Sequence, residues 1–195
     1  HANRGMENAT DQIQILYVDD EPGFAETAAT FLKREDNRIT VETATGAQQG
    51  HTYLAAHDVD CIISDYNMPA QNGIEFLEAV REDYPDLPFI LYTGKGSEAV
   101  ASDAISAGVT DYLQKESGSS QYTVLANRIT NAVDQYRSKR ELQESRNRLS
   151  LFVEQSPLGV IEWNNDFKVA RANNAAYDIL GYTESELVGH SWEHI

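Results

Sequence analysis

Cys61-Ile62-Ile63-Ser64-Asp65-Tyr66-Asn67-Met68-Pro69 is the stretch that decides the fold. An apolar run stops at a carboxylate, and turn-forming residues follow. The pattern recurs: Ile15-Leu16-Tyr17-Val18 stops at Asp19-Asp20, Phe89-Ile90-Leu91-Tyr92 at Thr93-Gly94, and Tyr112-Leu113-Gln114 at Lys115. Short apolar runs bounded by polar residues read as parallel strands buried on both faces. Helical patterns lie between them, over residues 22–34, 47–56, 73–83 and 97–107, and from about 122 onward. Pro22 suits a first helical turn, where its missing N–H costs nothing. Gly108 suits a left-handed cap after Ala107. Val100, Ala101, Ala104 and Ile105 are predicted to form the inner face of the fourth helix. This alternation predicts a doubly wound α/β fold. In such a sheet the carboxyl ends of the strands gather at one edge, where ligands bind. Asp19, Asp20, Asp65, Thr93 and Lys115 are therefore expected in one cleft. Three crowded carboxylates repel unless a cation intervenes. Mg2+ suits them, because it takes oxygen ligands through a few carboxylates and keeps several waters.

Taken in order, Asp19-Asp20, Asp65-x-x-Met68-Pro69, Thr93-Gly94 and Lys115 resemble the receiver domain of response regulators. The resemblance covers residues 12–137. It implies a five-stranded parallel sheet in the order 2-1-3-4-5, flavodoxin-like in plan. It also implies that Asp65 is the phosphoacceptor, that Thr93 and Lys115 contact the phosphoryl group, and that phosphoryl arrives from a phosphorylated histidine of a sensor kinase or phosphotransfer protein. By the same resemblance Asp20, Asp65 and the main-chain carbonyl of Asn67 hold Mg2+ directly, and Asp19 does so through water. Tyr112 would be a switch aromatic, and Asn67 and Lys95 would influence the lifetime of the phosphate. One position departs from the family: Glu116 stands where a proline usually follows the lysine. Without proline a cis bond costs several kcal/mol, so an altered loop is expected there.

Composition narrows the partners. The chain has 195 residues, of which 41% are hydrophobic, enough for a real core. A formal net charge of −16 argues against nucleic acid as a direct partner, because that binding needs Lys and Arg to neutralise phosphates. Acidic, lysine-poor composition is a halophile's lever for solubility. Together with the resemblance, it looks like a haloarchaeal two-component signalling protein; an ordinary acidic bacterial domain is the other reading. Cys61, the one cysteine, excludes a disulfide framework. No apolar run reaches membrane length and no signal-peptide pattern appears, so a cytoplasmic location is expected. Residues 1–11 read as a tag remnant and a disordered start, with Met6 as the natural first residue. His51, His57, His190 and His194 have neither metal-ligand spacing nor the setting of a kinase's donor histidine.

Beyond Tyr122 the chain reads as one long polar helix. Leu125, Ile129, Ala132, Val133 and Tyr136 form an apolar stripe. Residues 138–151 read as a linker or signalling helix in which Leu142 and Leu149 are a heptad apart and Ser145 interrupts the seam. Sustained apolar heptads are needed for a coiled coil, so a solvated linker and a homodimeric helix both remain open. Residues 152–195 resemble the first half of a PAS sensor domain. The pieces that carry this are Asn174-x-Ala176, Leu180-Gly181-Tyr182 and Glu186-Leu187-x-Gly189. The expected whole is a longer protein, a histidine kinase or a transcription regulator. Two other classes stay in view: an aspartate-nucleophile phosphatase of the haloacid dehalogenase type, and a flavodoxin-like binding module. The first needs Asp-x-Asp at one strand end, where Asp65 is followed by Asn67. The second needs a hydroxyl-rich phosphate loop, where Glu21-Pro22-Gly23 stands.

Overall fold

The computed structural model describes residues 11–94 and 97–191. The chain divides into two compact units between Arg137 and Ser138. The first alternates strand and helix: β1 (Ile13–Val18), α1 (Pro22–Glu35), β2 (Ile39–Ala44), α2 (Ala47–Ala56), β3 (Cys61–Ser64), α3 (Gly73–Asp83), β4 (Phe89–Thr93), α4 (Glu98–Ser106) and β5 (Asp111–Gln114). Helix α5 (Ser120–Glu154) follows and runs on past Arg137. The five strands are parallel, in the order β2-β1-β3-β4-β5.

Alternation along each strand builds two cores, because successive side chains point to opposite faces. On one face Ile13, Ile15, Tyr17, Ile63, Ile90 and Tyr92 meet Ala25, Ala28 and Leu32 of α1 and Leu125, Ile129 and Val133 of α5. On the other face Leu16, Val18, Ile62, Phe89 and Leu91 meet Leu54 of α2, Phe76, Leu77 and Val80 of α3, and Ala104 of α4. Strands β3 and β4 are buried along their whole length, as the apolar runs predict. Strand β2 has a half-exposed ITVETA pattern and was not among the four runs read from the sequence.

Local chemistry sets the helix ends. Pro22 opens α1. Asn72 caps α3, its Oδ1 accepting from Ile74 N (2.9 Å) and Glu75 N (3.0 Å), while Glu75 Oε2 accepts from Asn72 N at 2.9 Å. Such a reciprocal cap is worth about 1 kcal/mol. Gly108 has φ +84°, the left-handed value a helix exit asks of glycine. The expected face of α4 needs one correction. Ala104 is buried and Val100 and Ala101 are half-buried, but Ile105 is 70% exposed. A nine-residue helix touches the sheet along one narrow line, and Ile105 sits about 100° round from Ala104 on a 3.6-residue turn.

The second unit contains the end of α5 and a small α+β piece: β6 (Ile161–Trp163), β7 (Val169–Ala172), α6 (Asn174–Leu180) and α7 (Glu184–Leu187). Strands β6 and β7 pair antiparallel across the Asn164-Asn165-Asp166 turn. Asn164 Oδ1 accepts from Asp166 N and Lys168 N, both at 3.0 Å, which fixes that turn. Val169, Ala172, Ala176 and Leu187 form its own core. Asn173, 1% exposed, ties the unit together. Its Oδ1 accepts from Val160 N (2.8 Å) and Ala176 N (3.0 Å), and its Nδ2 donates to Val153 O (2.8 Å) and Leu158 O (2.9 Å). Among the described residues, no helix is long and apolar enough to cross a membrane.

Candidate functional site

The site is an extension of the sheet's own ladder. Asp19 follows β1 and its N–H donates to Ala44 O at 3.0 Å; Asp65 follows β3 and its N–H donates to Val18 O at 2.9 Å. Lys115 follows β5, its N–H donating to Thr93 O at 2.9 Å. The backbone beneath Asp19, Asp65 and Lys115 is thus held by ladder hydrogen bonds like those of the strands. Ordered backbone at strand ends gives better-defined geometry than a free loop would.

Asp19, Asp20 and Asp65 each offer a carboxylate oxygen, and these lie within 4.8 Å of one another. Lys115 Nζ donates to Asp19 Oδ2 at 2.7 Å and lies 3.4 Å from Asp65 Oδ1. Asp19 is 1% exposed, and its other oxygen, Oδ1, accepts from Glu21 N at 2.9 Å. Both Asp19 oxygens are therefore engaged. Asp65 Oδ1 is buried and has no hydrogen-bond partner, while Asp20 is exposed. The donor set is all oxygen and strongly anionic, with one buried oxygen that accepts no hydrogen bond and faces the Lys115 ammonium at 3.4 Å, and one carboxylate open to solvent. That set fits a hard divalent cation of the Mg2+ class. With Asp19 already bonded at both oxygens, Asp20 and Asp65 are the carboxylates free to ligate directly.

Thr93 ends β4, fully buried, between the strands that carry Asp65 and Lys115. Asn67 is exposed in the loop after Asp65, and Met68 anchors that loop in the core. The loop folds back on one carbonyl: Tyr66 O accepts from Met68 N (3.2 Å) and Gly73 N (2.9 Å). Ala70 takes a left-handed φ of +67° within it. Tyr112 is half-buried against the second core, and its hydroxyl is buried without a partner. Lys95 lies outside the described residues. At Glu116, the expected departure in the loop takes a specific form. No described peptide bond is cis, and Glu116 N donates to the Gln121 side chain at 3.1 Å.

Sequence reasoning missed several supporting residues. The Lys115 ammonium sits 4.2 Å from the centre of the Phe24 ring and 6.0 Å from that of Tyr92, an aromatic floor that attracts a cation. Burial pushes the Tyr92 hydroxyl's pKa up, as it does that of Tyr17, for which Asp19 is a secondary cause. Both phenols stay neutral beside the carboxylates. Gly73 admits no side chain: a Cβ there would stand 2.2 Å from Asp65 O. Of these, only Gly73 left a trace in the sequence, as the first residue of the helix expected over 73–83. Phe24 and Tyr92 read as ordinary core.

Comparison with known proteins agrees with this geometry. Residues 15–127 match the family described as the response regulator receiver domain. A chemotaxis protein CheY homolog of Campylobacter jejuni is 31% identical over 105 residues, 53% of this chain and 81% of that protein. The crystal structure of a response regulator receiver domain protein from Clostridium thermocellum matches with a TM-score of 0.57 and 25% identity, covering 64% of this chain and 97% of that one. A beryllofluoride-activated receiver domain dimer, that of NtrC4, matches with a TM-score of 0.56 and 26% identity, covering 63% of this chain and 98% of that one.

Proposed function

We propose, from the premise that this chain belongs to the response regulator receiver family, that Asp65 accepts a phosphoryl group in a two-component phosphorelay. The carrying observation is the juxtaposition of Asp19, Asp20 and Asp65 with the Lys115 ammonium at one sheet edge, Asp65 Oδ1 remaining unbonded. The donor is a phosphorylated histidine of a sensor kinase or phosphotransfer protein. Asp65 Oδ1 attacks its phosphorus, the P–N bond breaks, and the electron pair stays on the imidazole nitrogen, which takes up a proton. An acyl phosphate is left on Asp65.

In such transfers positioning and electrostatics supply most of the catalysis. Asp20, Asp65 and the Asn67 carbonyl would hold Mg2+, with Asp19 reaching it through water; when bound, the ion neutralises charge on the phosphoryl oxygens. Lys115, 3.4 Å from Asp65 Oδ1, swings from Asp19 to pair with a phosphoryl oxygen. Thr93 donates its hydroxyl to another. Asn67 and Lys95 influence how long the phosphate survives. Tyr112 turns inward as Thr93 moves. Its hydroxyl makes no hydrogen bond, so none is broken when the ring moves.

Residues 12–137 form the receiver on this reading. Helix residues 138–151 carry its state toward residues 152–195, the first half of a PAS domain. The antiparallel β6–β7 pair with α6 and α7 suits that assignment. The full protein is a histidine kinase or transcription regulator, with homodimerisation through the helix as a means of output. Beryllofluoride mimics a phosphoryl group and tests the reading. The chain should bind it only when Mg2+ is present, and the Asp65→Asn chain should not bind it. Binding of FMN instead would favour the flavodoxin-like alternative, and turnover of phosphate esters the phosphatase.

A further inference from the structure

The loop after β5 lacks the proline that would stiffen it, yet it begins at Lys115, whose ammonium pairs with Asp19 and Asp65. What holds it is Gln121, on the first turn of α5. Its Oε1 accepts from Glu116 N at 3.1 Å and also from the Tyr92 hydroxyl, and its Nε2 donates to Gly118 O at 2.8 Å. One carboxamide thus closes the loop at both ends and ties it to β4. Tyr92 links this network to the lysine. It is 1% exposed, its hydroxyl is fixed by Gln121, and its ring borders the Lys115 ammonium together with Phe24. The Phe24 and Tyr92 rings are tilted against each other at a centroid distance of 6.4 Å. Lys115 is adjacent to Glu116 in the chain, so a loop free to shift at Glu116 shifts the lysine's stem as well.

We propose that Gln121, acting with Tyr92, is a positioning residue that holds Lys115 where it can meet a phosphoryl group on Asp65. The inference rests on the phosphoacceptor reading above. Gln121 touches neither the carboxylates nor the phosphoryl group; it acts through the loop and the aromatic floor. Misplacing Lys115 weakens contact with the phosphoryl oxygens. It leaves the carboxylates that hold Mg2+ in place and removes a cation that competes for them.

That asymmetry is the test. Mg2+ is titrated into the protein by calorimetry, and beryllofluoride is then titrated at saturating Mg2+, for wild type, Q121L, Q121E and Y92F. Q121L should lose about tenfold in beryllofluoride affinity, mid-range for neighbours coupled in one hydrogen-bond network, with Mg2+ affinity unchanged or tighter. Y92F keeps the ring and loses only the hydroxyl, so it should move the same way and stands as the measurement if Q121L does not fold. Q121E retains the oxygen that accepts from Glu116 N and Tyr92 but loses the donor to Gly118 O, and should fall between wild type and Q121L. Three outcomes overturn the proposal: beryllofluoride affinity unchanged in both Q121L and Y92F, Mg2+ and beryllofluoride affinities falling together, or Q121E as weak as Q121L. If wild type itself binds no beryllofluoride, the phosphoacceptor reading fails and this inference fails with it.

Discussion

Replacing Lys115 with Met removes the charge and keeps most of the stem over Phe24. In the metal-free protein the ammonium holds a buried carboxylate at 2.7 Å and a second at 3.4 Å. At an effective dielectric constant of about 20, those separations give gross attractions of about 6 and about 5 kcal/mol. Desolvation of Lys115, whose side chain is 13% exposed, offsets much of this. Removing one partner of a buried pair costs about 3–5 kcal/mol. Asp20 is exposed and water reaches that side of the cluster, so the lower end applies: about 3 kcal/mol lost by Lys115→Met without metal. Mg2+ should then narrow the gap, because a divalent cation meets less competition in the variant and binds it more tightly. At about 100-fold excess over Kd, a ligand specific for the native state adds about 2.7 kcal/mol. The assay is urea unfolding of both proteins in EDTA and in Mg2+. A Lys115→Met chain as stable as wild type in EDTA, or a deficit that Mg2+ leaves unchanged, would refute the electrostatic argument.

Two further substitutions probe the scaffolding. Gly73→Ala drives a Cβ to 2.2 Å from Asp65 O and 2.7 Å from Leu91 Cδ1. It should cost about 1–3 kcal/mol, as overpacking does, and an unchanged urea midpoint would show that α3 shifts freely. Asn173→Ala removes the side-chain partner of part-buried main-chain groups at Val153, Leu158 and Val160, and one of the two acceptors of the buried Ala176 N–H, which should cost about 1–3 kcal/mol in all. Hydrogen exchange at Val160 and Ala176 should speed up strongly while β1 and β3 keep their protection; equal protection in wild type and variant would contradict the hub role.

The framework of the receiver was legible because its strands are nearly pure signals. A four-residue run such as Cys61–Ser64, buried on both faces, ends abruptly at a charged residue, and so marks both an element and an edge. The expected helices over 47–56 and 73–83 coincide with α2 and α3. Strand β2 escaped because an edge strand needs only one fully paired side, and Thr40, Glu42 and Thr43 give it no continuous apolar run. Ile105 misled because helical periodicity identifies a face but not how wide a stripe the sheet covers. At the site, Asp19, Asp20, Asp65 and Lys115 announce themselves by charge at strand ends. Gln121, Phe24 and Tyr92 do not: a glutamine on a first helical turn and two aromatics in apolar settings carry no sign of what they touch. Only the tertiary contact between β4, α1 and the start of α5 reveals their relation to Lys115.

The central claim is that one carboxylate, Asp65, is the phosphoacceptor, and locating the modified residue tests it most directly. The protein is incubated with acetyl phosphate and Mg2+, the acyl phosphate is trapped by borohydride reduction, and the peptides are mapped by mass spectrometry. The account predicts that the modification falls on the peptide containing Asp65, requires Mg2+, and disappears in Asp65→Asn. Modification of Asp19 or Asp20 instead, or unchanged labelling of the Asp65→Asn chain, would contradict it.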